Sequence, residues 1–162
     1  MADPATTEKP AIGNRSRPNR AAYDGDYYGW VEEQVALLRA GRLDEIDVEN
    51  IAEELSDMGR TEYHRLHSAL KVLVMHMLKW DQQPEHRSSS WEGTIREHRQ
   101  RIARLLKKNP GLRPRLEEAL AEGYEDARIW ASIETHIPDE DFPKECPYGW
   151  DDILDRPFKM DR

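Results

Sequence analysis

The sequence predicts an all-α single domain: a bundle of about five main helices closed by a C-terminal strap. Three observations carry this expectation. Apolar residues recur at three- and four-residue spacing over most of the 162 positions, with no period-two stretch to suggest a strand. Only 38 % of the residues are hydrophobic against 35 % charged, with a mean hydropathy of −0.90, which suits helices that each bury one stripe. The segments are punctuated by Gly and Pro at positions where helices stop.

Residues 1–22 contain Ile12 as their only large aliphatic side chain, so a disordered arm is expected there. The domain is expected over 23–158, with a short tail at 159–162. The first helix begins at Asp24 or Asp26, either of which can accept from the orphan N–H groups of a first turn. Its stripe reads Tyr27, Val31, Val35 and Leu38, with Gln34 at the stripe's edge, and Gly41 stands at the C′ position. Asp47 caps a second helix with Val48, Ile51, Leu55 and Met58 as its apolar face, which Gly59 closes or kinks. Thr61 then caps a third helix. Leu66, Leu70, Leu73, Met77 and Trp80 form its main face, Tyr63 and Val74 flank them, and Val72 and Met75 suggest cover on a second side. His64, Lys71 and Lys79 fall on the opposite, polar side.

Gln83-Pro84 ends this helix. Ser89 with Glu92 has capping-box spacing for a fourth helix, Ser90 being an alternative cap, and Trp91, Ile95, Ile102, Leu105 and Leu106 form its stripe. Asn109-Pro110-Gly111 breaks it. Pro114 suits the first position of a fifth helix that turns Leu116, Ala119, Leu120, Gly123, Tyr124, Ala127 and Ala131 inward, small residues that let a neighbour approach closely. Beyond Pro138, Phe142, Tyr148, Trp150, Ile153 and Phe158 are expected to strap across the helices, with a short helix near Trp150–Leu154.

Several of these runs are shared motifs. YDGDYYGWVEEQVALLRAGRLDEIDVENIAEELSDMGR, then HMLKW, QPEHRSSSW, and finally ET and FPKECPY resemble a bacterial family, number twenty-nine in the series of domains of unknown function, common in cyanobacteria and proteobacteria. The resemblance covers roughly Tyr23 to Phe158. It implies a compact α-helical intracellular domain with no assigned activity, so no catalytic residues carry over. Where the family more often has Ser or Thr after CPY, this chain has Gly149, a weaker cap.

Function classes are narrowed by what the chain contains. A net charge of −8 argues against nucleic-acid binding by the surface as a whole. Cys146 is the only cysteine, so neither an intramolecular disulfide nor a Cys-based zinc site can be built, and a reducing cytoplasm is the natural compartment. No apolar run reaches the roughly 20 residues of a membrane span, and the N-terminal 20 residues lack the apolar core of a secretory signal. P-loop, dinucleotide-fold, zincin and nucleophile-elbow motifs are absent, as is the Glu-x-x-His pair of di-metal bundles.

Two constellations remain. Glu54, His76, His98, Arg99 and Glu134 lie at or beside the edges of apolar stripes and would face one another if four helices converge. A buried network, with Arg99 paired to Glu54 or Glu134, is the preferred reading. The alternatives are a divalent metal such as zinc or iron on His76, His98 and Glu134, or a small anionic ligand with Arg99. The second constellation is the basic row Arg96, Arg101, Arg104, Lys107 and Lys108, which suits an acidic partner better than nucleic acid, since interleaved glutamates dilute it. His64 with His67 is read as adventitious, Cys146 as packing, and Ser88 to Ser90 as caps. The functional expectation is a non-enzymatic intracellular module acting on a protein partner or on itself. A metal- or small-ligand-binding bundle is the alternative, and no resident cofactor is expected under the first reading.

Overall fold

The computed structural model describes residues 23–160; the expected arm at 1–22 and the last two residues of the tail lie outside them. Among the described residues all regular structure is helical: α1 (Tyr27–Arg39), α2 (Val48–Gln82), α3 (Ser89–Lys108), α4 (Leu116–Thr135) and α5 (Trp150–Asp155), with short 3₁₀ segments in three connections. The fold is all-α, as the periodicity predicts. Among the described residues no helix is long and apolar enough to cross a membrane. The chain divides into two compact units, Met1–Glu53 and Glu54–Arg162.

In the first unit, Asp26 is the N-cap of α1 and accepts from the Gly29 N–H at 2.9 Å. The helix ends in a Schellman motif: Gly41 N–H donates to Leu38 O and Arg42 N–H to Leu37 O, with Gly41 at φ +69°. The buried face of α1 differs from the expected stripe. Trp30, Gln34 and Leu37 are buried, whereas Tyr27 and Leu38 are exposed. The indole of Trp30 sets this rotation, because its N–H donates to Asp47 Oδ2 at 3.2 Å while Tyr23 and Tyr27 pack on its ring. Gln34, only 3 % exposed, accepts from the Asp47 N–H at 2.8 Å. Asp47 in turn holds Asn50, as an N-cap residue would.

The second and third helices of the sequence reading are one 35-residue helix, α2. Gly59 neither closes nor kinks it, and Thr61 sits inside it with its hydroxyl turned back to Asp57 O at 2.9 Å. A glycine within a helix costs roughly 1 kcal/mol against alanine, and tertiary contacts further along offset this. Between Tyr63 and Trp80 the expected stripe is buried, with Ala69, Met75 and Leu78 added from other sides. Before that stretch the expected apolar face is uncovered: Leu55 is 62 % and Met58 66 % exposed.

The core of the second unit forms on this buried stretch. Ile95 and Ile102 come from α3, Ala119, Leu120, Tyr124, Ala127 and Ala131 from α4, and Phe142, Tyr148, Ile153 and Phe158 from the strap. Gly123 lets α4 lie close against α2, since a Cβ there would stand 3.4 Å from His67 O and Lys71 N. The N-cap of α3 is Ser88, one residue earlier than the expected Ser89, and it accepts from the Trp91 N–H at 3.3 Å. Helix α4 starts at Leu116, with Pro114 in the 3₁₀ segment before it. At α5, Gly149 offers no capping oxygen, but Asp152 reaches back to its N–H at 3.2 Å.

The positive φ at Gly41 gives a direct check on the α1 terminus. Gly41→Ala is expected to destabilise by about 1 kcal/mol, read as a lower midpoint in denaturant with the slope unchanged.

Candidate functional site

The residues singled out from sequence separate into three places. The first surrounds the end of α2. His76 donates or accepts at Nδ1 with the Val72 carbonyl at 2.9 Å, and His98 does the same with Thr94 O at 3.1 Å. Each contact is a turn of the same helix, so it fixes the imidazole without help from a partner helix. His76, Lys79, Glu134 and His98 lie close enough to act on one another electrostatically. Burial pushes the His76 imidazole below its ordinary value, and the charges of Lys79 and His98 act in the same direction. The Val72 carbonyl and Glu134 oppose them.

Glu134 is taken by Lys79, not by Arg99. Lys79 departs furthest from the sequence reading. Placed on the polar face of its helix, it is 6 % exposed, ion-paired to Glu134, with its ammonium 4.6 Å from the centre of the Trp91 ring. Its stem lies along apolar surface while the head finds the two groups that suit a desolvated cation. No spacing rule marks it, because α2 is covered on sides that one amphipathic wheel does not reveal. Among the described residues no three His, Cys, Asp or Glu side chains converge as metal ligands. Glu54 stands apart: it lies 22 residues before His76 on the same helix, about 33 Å along the axis at 1.5 Å per residue.

Arg99 organises the second place. Its guanidinium donates to three main-chain carbonyls, Ile153 O at 2.6 Å, Asp152 O at 2.7 Å and Arg156 O at 2.8 Å, and packs 5.2 Å from the Phe158 ring. Asp152 and Ile153 belong to the last turn of α5, where carbonyls lack helical partners, and Arg156 follows its end. Arg99 is therefore a side-chain cap of the strap, and the expected pairing with Glu54 or Glu134 is replaced by main-chain contacts. A second clasp reinforces it. Arg156 grips Asp81 with two nitrogens, at 2.9 and 2.5 Å, and Tyr148 Oη donates to the same carboxylate at 2.9 Å. Burial, together with the Asp81 carboxylate, raises the Tyr148 phenol well above its ordinary value, so it stays a donor. This clasp escaped the sequence reading because Asp81 lies 67 residues from Tyr148 and 75 from Arg156 in the chain.

Cys146 lies half-buried under the strap, and burial pushes its thiol up. That is the wrong direction for a nucleophile.

The third place is a groove between α2 and α3. Arg101, Arg104, Leu105 and Lys108 of α3 line it opposite Glu62 and Arg65 of α2, enclosing about 190 Å³. A neighbouring cavity of about 570 Å³ shares Glu62, Arg65 and Lys108 and extends to Met58, Gly59 and Thr61. Four cations thus face one carboxylate, and Glu62 already accepts from Arg65 at 2.7 Å and from Asn109 at 3.0 Å. Of the basic row, Arg101, Arg104 and Lys108 belong here. Arg96 lines a separate recess with Phe158, and Lys107 lines neither. Arg65 was missed because it belongs to another helix. Ile129, Trp130 and Ile133 are also exposed along one side of α4.

Two measurements follow. Arg99→Lys is expected to cost about 2–4 kcal/mol, since one ammonium cannot span three carbonyls, with amide exchange of residues 150–158 rising more than elsewhere. For His76 the unfolded imidazole binds its proton near pH 6.5, while the folded one resists it. The unfolded chain is protonated first, so this contribution to stability is full above about pH 6.5 and is lost as pH falls below it. His76→Gln should flatten the decline of melting temperature between about pH 7 and pH 5.

No curated protein and no solved structure matches the chain. The model of the family described as "Domain of unknown function DUF29" matches residues 22–159, nearly all of the described chain, and the protein belongs to that family.

Proposed function

We propose that the protein is a non-enzymatic interaction module that docks a protein segment in the groove between α2 and α3. The observation that carries this reading is the composition of that groove. In a chain of net charge −8, Arg65, Arg101, Arg104 and Lys108 gather on one surface, continuous with Met58 and one turn from Leu55, both solvent-exposed. Apolar side chains beside a row of cations complement an amphipathic helix whose polar face is acidic. The charge is confined to a short groove and interrupted by Glu62, which suits a helix better than the continuous phosphate track of a nucleic acid.

The other constellations support the same reading by the work they already do. Arg99, Asp81, Tyr148 and Arg156 fasten the strap, and the buried Lys79 pairs with Glu134, which is exposed.

The test is the binding of a fluorescent acidic amphipathic helical peptide, made of Leu on one face and Glu on the other. Salt-sensitive binding, weakened about tenfold or more by Arg101→Glu with Arg104→Glu, supports the reading. Binding that ignores the charge reversal, or no binding at all, removes it.

A further inference from the structure

A recess of about 340 Å³ opens where the first half of α3 meets the end of the strap. Glu92, Ile95, Arg96 and Arg99 line it from the helix, at the three- and four-residue spacing that sets them on one face over two turns, about 10 Å. Pro157, Phe158 and Lys159 line it from the strap. It shares no residue with the α2–α3 groove.

The floor is apolar. Ile95 and Phe158 are core residues that reach the recess from beneath, and Pro157 adds a ring with no N–H to donate. Water against such a floor finds few hydrogen-bonding partners, so an apolar group that displaces it gains free energy.

The rim carries charge mainly of one sign. Arg96, Arg99 and Lys159 bring three cations to a recess with a single carboxylate, Glu92. Among the described residues none of the three cations is in an ion pair, and the exposed Arg96 and Lys159 make no side-chain hydrogen bond. Arg99 donates only to main-chain carbonyls, which solvate its charge but leave its sign. Lys79, Arg128 and Arg156, by contrast, each hold a carboxylate. An apolar floor under a cationic rim fits a molecule with an apolar body and an anionic head, since either property alone leaves half of the site unused. The volume is at the lower end for small-molecule sites, and Glu92 opposes a second negative charge on the ligand.

We infer that this recess binds a small organic monoanion, an aromatic or short-chain carboxylic acid whose apolar body lies on Ile95, Pro157 and Phe158 and whose carboxylate is held by Arg96 and Lys159. A ligand seated there joins the strap to α3, so its binding also tightens the chain end. The inference is independent of the docking surface proposed above.

Titration of the full-length chain with 4-phenylbutyrate, followed by calorimetry and by amide NMR, tests this. The expected result is saturable binding of one molecule per chain, with signals of residues 92–100 and 158–159 shifting and amide exchange of 158–159 slowing. The uncharged 4-phenylbutan-1-ol and inorganic phosphate, which lacks the apolar body, should each bind about tenfold or more weaker. Arg96→Glu with Lys159→Glu should weaken the acid about tenfold or more and leave the alcohol unaffected. The melting temperature of the unliganded double variant should stay that of the parent, since neither exposed side chain holds a partner. Lys107→Glu with Arg113→Glu, an equal change of charge away from the recess, should leave the acid's affinity within about twofold. Absence of saturable binding, an alcohol or a phosphate that binds as tightly as the acid, or a reversal at Arg96 and Lys159 no more damaging than the one at Lys107 and Arg113 each overturns the inference. Shifts confined to residues outside the recess overturn it as well.

Discussion

The burial of α2 between Tyr63 and Trp80 is the constraint on which the second unit depends. Over this stretch the helix turns large apolar groups in several directions, and α3, α4 and the strap each cover part of it. An isolated helix of this length would be marginal by propensity, and packing supplies its stability. The rest of the chain is so polar that it offers no second apolar run on which a core could form. Gly123 on α4 and the alanines beside it follow from this, since they shorten the distance at which α4 lies on α2. The strap follows too, because Phe142, Tyr148, Ile153 and Phe158 reach the core only if the chain beyond α4 is held down.

Holding that strap is the work of charged residues, which explains how so polar a chain closes its core. Arg99 satisfies carbonyls that the end of a six-residue helix would otherwise leave without partners, and Asp81 collects Arg156 and Tyr148. Each clasp spends charge on main chain or on a fully matched partner, and so avoids an uncompensated buried charge. The Lys79–Glu134 pair follows the same logic with Trp91 as a third contact. Polar residues that attract attention as a candidate site are, in this fold, largely fasteners.

What remains outside that economy is the α2–α3 groove with the exposed Leu55 and Met58 beside it. There the helix extends beyond its own core, and cations outnumber carboxylates.

The sequence by itself determined the helical class, the family and the position of most helix ends. These depend on local chemistry: capping by Asp26, the φ of Gly41, the proline at 84 and the period of the apolar residues. The inward residues of α4 and the strap were legible for the same reason, as were the central residues of α2. Only tertiary structure decided the rest. Helix continuity through Gly59 reflects packing that begins four residues further on, at Tyr63, and outweighs a local propensity of roughly 1 kcal/mol. The rotation of α1 follows from one hydrogen bond between Trp30 and Asp47, seventeen residues apart. The fate of Arg99, Lys79 and Glu54 depended on which helices came within reach of them. A wheel drawn for one helix gives the direction of a side chain but not what stands there, and for a charged group the partner settles whether it is buried, exposed or part of a site.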